Sequence, residues 1–170
     1  MNIFAASTLK THDMQINLLC IGKTDDKEIA SLINYYLKRL PKHWNFEIIE
    51  NPDIKNAKNL TPDLLKKEEA KLFMAHIDRT DLVLILDEKG KQFTSREFAQ
   101  KIDSWMNSSV KKIHLLIGGA CGFSEEIYSR ANEKMSLSKM TFTHQMIRLF
   151  IVEQLYRADQ ILQGKPYHND

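Results

Sequence analysis

The sequence predicts an α/β fold with a mostly parallel sheet sandwiched by helices. Short apolar runs alternate with amphipathic segments from Gln15 to Leu162, in the order β-α-β-α-β-α-β-α-β-α. Alternation of that kind belongs to βαβ units and a parallel sheet. Leu82–Leu86, LVLIL, is apolar throughout between polar flanks, as suits a strand covered on both faces. Finally, Ile113–Ile117 ends abruptly in Gly118-Gly119 and leads into a helix start. Parallel sheets bind their ligands at such carboxyl strand ends.

Gln15–Ile21 reads as the first strand and stops at Gly22. Asp25 or Asp26 caps a helix that runs to about Leu40, with Ile29, Leu32, Ile33, Tyr36, Leu37 and Leu40 on one stripe and Pro41 as its stop. Phe46–Glu50 is the second strand. Asn51–Leu60 is polar and lysine-rich and reads as a solvated loop. Thr61-Pro62 opens a helix, a cap followed by proline in the first turn, which reaches about Arg79. Leu82–Leu86 is the third strand. Thr94 and Glu97 form a capping box before a helix from Arg96 to Met106. After the fourth strand, Ile113–Ile117, Ser124 caps a helix to about Lys134, and Lys139–Phe142 is the candidate last strand. Thr143 caps a long helix, His144–Leu162, ended by Gly164 and Pro166.

The last helix carries two apolar arcs. Ile147, Ile151, Leu155, Ala158 and Leu162 form one, and Leu149, Val152 and Tyr156 the other. A helix apolar on two sides is buried on two sides. One side faces the domain core, and a symmetric dimer is the simplest cover for the other.

With 170 residues, 43% hydrophobic and 27% charged, the chain can build one domain with a substantial core. That domain is read as residues 14–170. Met1–Asp13 lacks both a basic start and a sustained apolar run, so it reads as a disordered extension or an upstream start rather than a signal peptide. No apolar run reaches the roughly 20 residues that span a bilayer. Cys20 and Cys121 are the only cysteines and stand far apart, which argues against a disulfide framework or a zinc site. Cytoplasmic location is the resulting expectation. A net charge of +2 permits an anionic partner without demanding one.

The segment Gly118-Gly119-Ala120-Cys121-Gly122 matches neither G-x-G-x-x-G nor the phosphate loop G-x-x-x-x-G-K-[ST]. It is either a tight strand-to-helix turn or a place where missing side chains let a ligand reach the backbone. In the second case the ligand is neutral or zwitterionic, since no lysine waits to hold a phosphate. An adenosyl group with a methionine tail suits this better than a pyrophosphate.

The segments LLIGGACG (Leu115–Gly122), SLSKMTFTHQMIRLFIVEQLYRA (Ser136–Ala158) and GKPYH (Gly164–His168) closely resemble the ribosomal large subunit methyltransferase H family, of the SPOUT class of knotted methyltransferases. The opening QINLLCIGK and the middle LILDEKGKQFTSREFA extend the match from Met14 to the end. The resemblance implies a cytoplasmic homodimer with a C-terminal trefoil knot, within about residues 113–170. It implies methyl transfer from S-adenosyl-L-methionine to N3 of a pseudouridine in 23S rRNA of the assembled ribosome, with no metal and no membrane. It assigns cofactor contacts to Leu86, Gly118, Leu137, Ser138, Lys139, Met140, Thr141 and Phe142, and matches Gly119 and Gly122 to the other loop glycines. Ala120 and Cys121 stand at positions that vary in the family, so Cys121 is not given a chemical role. Thr143 replaces a proline found in many members and is the better N-cap.

The reaction needs alignment of methyl donor and acceptor, and removal of the N3 proton. His144, at a positive helix start, is expected to be neutral and can accept a proton, or can be a structural polar residue. His168 is a tail residue by spacing alone, and the recurring PYH of the family raises it to a catalytic candidate. Tyr167 can stack on a base. Arg148 and Arg157 can neutralise rRNA phosphates or make structural ion pairs. Glu153 and Arg157 form an i,i+4 pair. Two other readings are a non-catalytic ribosome-binding factor that keeps the fold and a nucleotide-binding oxidoreductase. The second lacks its glycine fingerprint.

Overall fold

The computed structural model describes residues 14–167. Met1–Asp13, read above as an extension, and His168 lie outside the described residues. The elements are β1 (Gln15–Ile21), α1 (Lys27–Leu37), β2 (Glu47–Asn51), α2 (Pro62–Met74), β3 (Leu82–Gln92), α3 (Ser95–Met106), β4 (Lys112–Ile117), α4 (Glu125–Arg130), β5 (Glu133–Ser136) and α5 (His144–Leu162). Short 3-10 turns precede β2 and α2. The five strands form one all-parallel sheet in the order β2-β1-β4-β3-β5.

Strand alternation divides the core in two. Ile16, Leu18 and Cys20 of β1, Leu84 of β3, and Ile113, Leu115 and Ile117 of β4 point to one face. There they meet Ile33 of α1, four residues of α3 and the apolar side of α5. Leu19, Val83, Ile85 and Leu116 point the other way and meet Ala70 and Phe73 of α2 and Ile127 of α4. A strand that alternates between two buried faces is apolar at nearly every position, which is why LVLIL and Leu115–Ile117 read as continuous runs; Asn17 and His114 are buried polar exceptions, 3.4 Å apart on neighbouring strands.

The capping chemistry is as the sequence indicates. Asp26, Thr61, Thr94, Ser124 and Thr143 each accept a backbone N–H from the first turn of their helix, and Thr94 with Glu97 closes the full capping box.

Several boundaries differ: α1 ends at Leu37, short of Leu40. α2 ends at Met74, short of Arg79. α4 ends at Arg130 because Asn132 turns into the edge of β3. Its side-chain oxygen accepts from Val83 N at 2.8 Å, and its own N–H donates to Val83 O at 2.8 Å. The last strand is therefore Glu133–Ser136, and Lys139–Phe142 is loop. β3 does not stop at Leu86. Both Leu86 and Lys91 pair with Met135, so residues 87–90 bulge out between them. Gly90 makes this close approach possible, since a Cβ there would lie 2.5 Å from the Met135 backbone.

The two apolar arcs of α5 find their cover within the chain. Leu149, Ile151, Val152, Leu155 and Ala158 are all buried in the same core cluster, with α1 and α3 packed along the helix. Leu162 is exposed instead. The double-sided helix thus does not by itself require a second subunit.

Candidate active site

The carboxyl ends of β3 and β4 open onto a cavity of about 430 Å³. Three segments build it. The bulge within β3 contributes Asp87, Glu88 and Lys89, with Leu86 just before it. The glycine loop after β4 contributes Gly118 to Phe123. The stretch after β5 contributes Leu137, Ser138, Met140, Thr141 and Phe142, with His144 and Ile147 of α5 beyond it.

Nine of the ten positions expected to contact a cofactor line this one cavity: Leu86, Gly118, Gly119, Gly122, Leu137, Ser138, Met140, Thr141 and Phe142. Lys139 is exposed and is not part of the wall. Met140 and Phe142 are among the exposed large apolar side chains, and Phe142 packs edge-on against Phe150 of α5.

The glycine loop is held from both sides. A Cβ on Gly118 would come 3.2 Å from the Phe123 ring. Gly122, at φ +76°, returns its N–H to Gly119 O at 3.0 Å and closes the turn; that left-handed conformation favours glycine. Ser138 stabilises the opposite wall by accepting the Met140 N–H at 2.9 Å, while its carbonyl accepts the Ser136 hydroxyl at 2.7 Å.

The cavity carries few charges. The Asp87 carboxylate accepts from Lys89 N at 2.8 Å and from the Tyr128 hydroxyl at 2.5 Å. Burial first, then the Asp87 hydrogen bond and charge, push the Tyr128 pKa up to about 12. His144 stands exposed at the mouth, where partial desolvation and then the Arg148 charge lower its pKa. Its imidazole is therefore neutral at pH 7 and can accept a proton.

Asp87 directly follows the run Leu82–Leu86 that sequence patterning picked out, yet its partnership with Tyr128 spans 41 positions and has no local signature. A third residue, Glu69 of α2, also touches the loop, accepting from Gly119 N at 3.2 Å. It is not among the candidates drawn from the sequence, although a carboxylate on the stripe Leu65–Glu69–Phe73 is a feature that could have raised it.

The remaining candidates fall elsewhere. Arg148 is 2% exposed. Its guanidinium donates to Ile21 O at 2.7 Å, Gly22 O at 3.1 Å and the Thr24 hydroxyl at 2.9 Å, with Glu50 at 3.4 Å. These bonds tie α5 to the carboxyl end of β1, which is the structural one of the two readings of Arg148. Arg157 pairs with Glu153 at 2.6 Å and lies 4.9 Å from the Tyr167 ring centroid. Tyr167 also stacks edge-on against Tyr156 and donates to Glu153 at 3.3 Å, so the tail folds back onto α5 as far as it is described. Burial and its hydrogen-bonded neighbours raise the Tyr167 pKa.

Among the described residues, no group of three His, Cys, Asp or Glu side chains is arranged to hold a metal ion. No helix there is long and apolar enough to cross a membrane.

Comparison with known proteins agrees with this geometry. A protein of Christiangramia forsetii described as "Ribosomal RNA large subunit methyltransferase H" is 50% identical over 92% of this chain and 99% of its own. Proteins of the same description from Flavobacterium johnsoniae and Cytophaga hutchinsonii are 48% and 50% identical, again over 92% of this chain. The solved structure of a probable methylase family protein from Haemophilus influenzae Rd KW20 superposes with a TM-score of 0.56, covering 93% of this chain and 68% of that one. At 12% identity that likeness concerns the fold alone. The model of the family described as "Predicted SPOUT methyltransferase" matches residues 14–168. The chain belongs to the SPOUT methyltransferase family.

Proposed function

We propose that this protein transfers a methyl group from S-adenosyl-L-methionine to N3 of a pseudouridine in 23S rRNA of the assembled ribosome, acting in the cytoplasm as a homodimer. The observation that carries this reading is the convergence of three distant segments on one cavity, at Leu86, at Gly118 to Gly122 and at Leu137 to Phe142. The family is one of methyltransferases, and its similar members are described as acting on large-subunit ribosomal RNA.

The residues suit the cofactor. Leu86, Ile117, Leu137 and Ile147 offer apolar wall for an adenine ring, and the glycine loop offers backbone N–H and C=O groups without side chains in the way. Lys89 is the one lysine in the lining and is exposed, so the site is not built to clamp a pyrophosphate. The Asp87 carboxylate adds an acceptor for an ammonium or a ribose diol. When bound, S-adenosyl-L-methionine supplies an electrophilic methyl on a sulfonium.

The chain's own residues then have defined work. The segment 137–142 and the glycine loop orient the donor. His144 at the mouth, held neutral, would take the proton that N3 gives up on methylation. His168 follows directly after Tyr167, which docks beside Arg157, and this tail is assigned to the RNA side of the site. A trefoil knot within about residues 113–170 is part of the proposal. What supports it is that Leu137, Ser138, Met140, Thr141 and Phe142, between β5 and α5, line the same cavity as Leu86 and the glycine loop. The homodimer is supported by the exposed Met140 and Phe142 at the cavity rim, apolar surface of the kind that subunit interfaces cover.

The test is incubation of labelled S-adenosyl-L-methionine with ribosomes from cells lacking the enzyme, followed by mapping of the labelled base. Label on N3 of one 23S pseudouridine is the expected result. Unlabelled ribosomes would leave the ribosome-binding alternative standing.

A further inference from the structure

Glu69 is a carboxylate in the wrong place for an ordinary helix residue. It is 4% exposed, and with Ala70 and Phe73 makes up the buried residues of α2. Glutamates are almost never so buried without a charged partner. Among the described residues no lysine, arginine or histidine forms an ion pair with it, and the charge that acts on it, Asp53, is of the same sign. Burial followed by that repulsion outweighs the single stabilising contact, and the pKa of Glu69 is raised. The contact is the N–H of Gly119.

The fit between the two residues is mutual. A Cβ on Gly119 would lie 2.2 Å from Glu69 Oε1, so the carboxylate occupies the space that any side chain at 119 would need. Gly119 is also the residue whose carbonyl accepts the Gly122 N–H and closes the loop. One hydrogen bond from α2 therefore fixes the first corner of a turn whose other residues, Ala120 and Cys121, form the cavity wall. The Phe123 ring under Gly118 fixes the neighbouring corner by packing. Nothing in the fold of α2 requires a carboxylate here; a leucine would continue the stripe of Leu65 and Phe73.

We infer that Glu69 is a positioning residue for the methyl donor: through its hydrogen bond to Gly119 it holds the glycine loop in the shape that admits S-adenosyl-L-methionine. The inference rests on the proposed cofactor. Glu69 acts through the loop and makes no contact with the reacting atoms.

The test is calorimetric titration of S-adenosyl-L-methionine into the full-length protein and three variants, each first shown to be folded by its thermal transition. Glu69→Gln keeps an acceptor oxygen at the same reach and should bind within about threefold of wild type. Glu69→Ala removes the acceptor and should bind at least about tenfold more weakly. Glu69→Asp keeps the charge but withdraws it by one methylene, and should resemble Glu69→Ala; it decides the matter if the alanine variant does not fold. Wild-type affinity in a folded Glu69→Asp or Glu69→Ala protein would overturn the inference, as would Glu69→Gln binding as weakly as Glu69→Ala. Failure of the wild-type protein to bind the donor is a separate result. It would remove the functional reading itself and this inference with it.

Discussion

The Tyr128 hydroxyl donates to the Asp87 carboxylate across 2.5 Å, joining α4 to the bulge of β3 inside the cavity. The bond explains why the residues after Leu86 stand in a defined wall instead of a loose hairpin. Removing the hydroxyl leaves a half-buried carboxylate oxygen with one donor fewer. Tyr128→Phe is predicted to lower the unfolding free energy by about 1–2 kcal/mol, measured by urea denaturation, and to weaken donor binding. An unchanged midpoint would show that water replaces the hydroxyl without loss.

Gly118→Val tests the cavity itself. The first added carbon would already press on the Phe123 ring at 3.2 Å, and the two methyls beyond it must find room in or beside the cavity. Calorimetry should detect no S-adenosyl-L-methionine binding in a protein that remains folded. Retained affinity would mean that the loop does not face the donor.

Cys121 provides a chemical reporter. It is exposed on the glycine loop and lines the cavity, whereas Cys20 is buried, with a thiol pushed up to about 12 by desolvation. Alkylation of the native protein should modify Cys121 alone, and bound donor should slow it severalfold. Mass spectrometry of the labelled peptide reads both outcomes.

Stability should fall in mild acid through His114. This residue is fully buried in β4, with Nε2 2.8 Å from Asp81 and Nδ1 3.4 Å from the Asn17 amide. Desolvation lowers its pKa from 6.5 despite the opposing Asp81 contact. Below pH 6.5 the unfolded chain therefore takes up a proton that the folded chain refuses. The stability contributed by neutral His114 is present above 6.5 and is lost as pH falls towards the folded pKa, at up to about 1.4 kcal/mol per pH unit. Urea midpoints between pH 8 and pH 5 should show this slope, and His114→Gln should flatten it.

The tail is predicted to separate binding from chemistry. His168→Ala, or deletion of residues 167–170, should abolish methylation of ribosomes while donor affinity stays within about twofold. Full activity in the truncated protein would show that the tail is not needed for the reaction.

Much of this was legible in the sequence because local chemistry dictated it. The caps Asp26, Thr61, Thr94, Ser124 and Thr143 announce helix starts, and LVLIL can only be a strand buried on two faces. What escaped depends on distant backbone. Glu133–Ser136 has no strand-like composition and is recruited by its pairing with β3. The bulge at residues 87–90 exists only because Gly90 lies against Met135. Arg148 looks like a surface cation, and only the carbonyls of Ile21 and Gly22 reveal it as a buried brace. For the site, the positions carried by family resemblance converge on one cavity apart from Lys139. Asp87, Tyr128 and Glu69 became visible as partners only once the chain was folded.

The central claim is that uncharged main chain at the rim of a parallel sheet receives the methyl donor. A crystal of the protein grown with S-adenosyl-L-methionine tests it most directly. The account predicts density for the donor between Leu86, Gly118 and Leu137–Phe142, with its methyl directed towards His144. Ordered donor density bound anywhere else on the protein would contradict it.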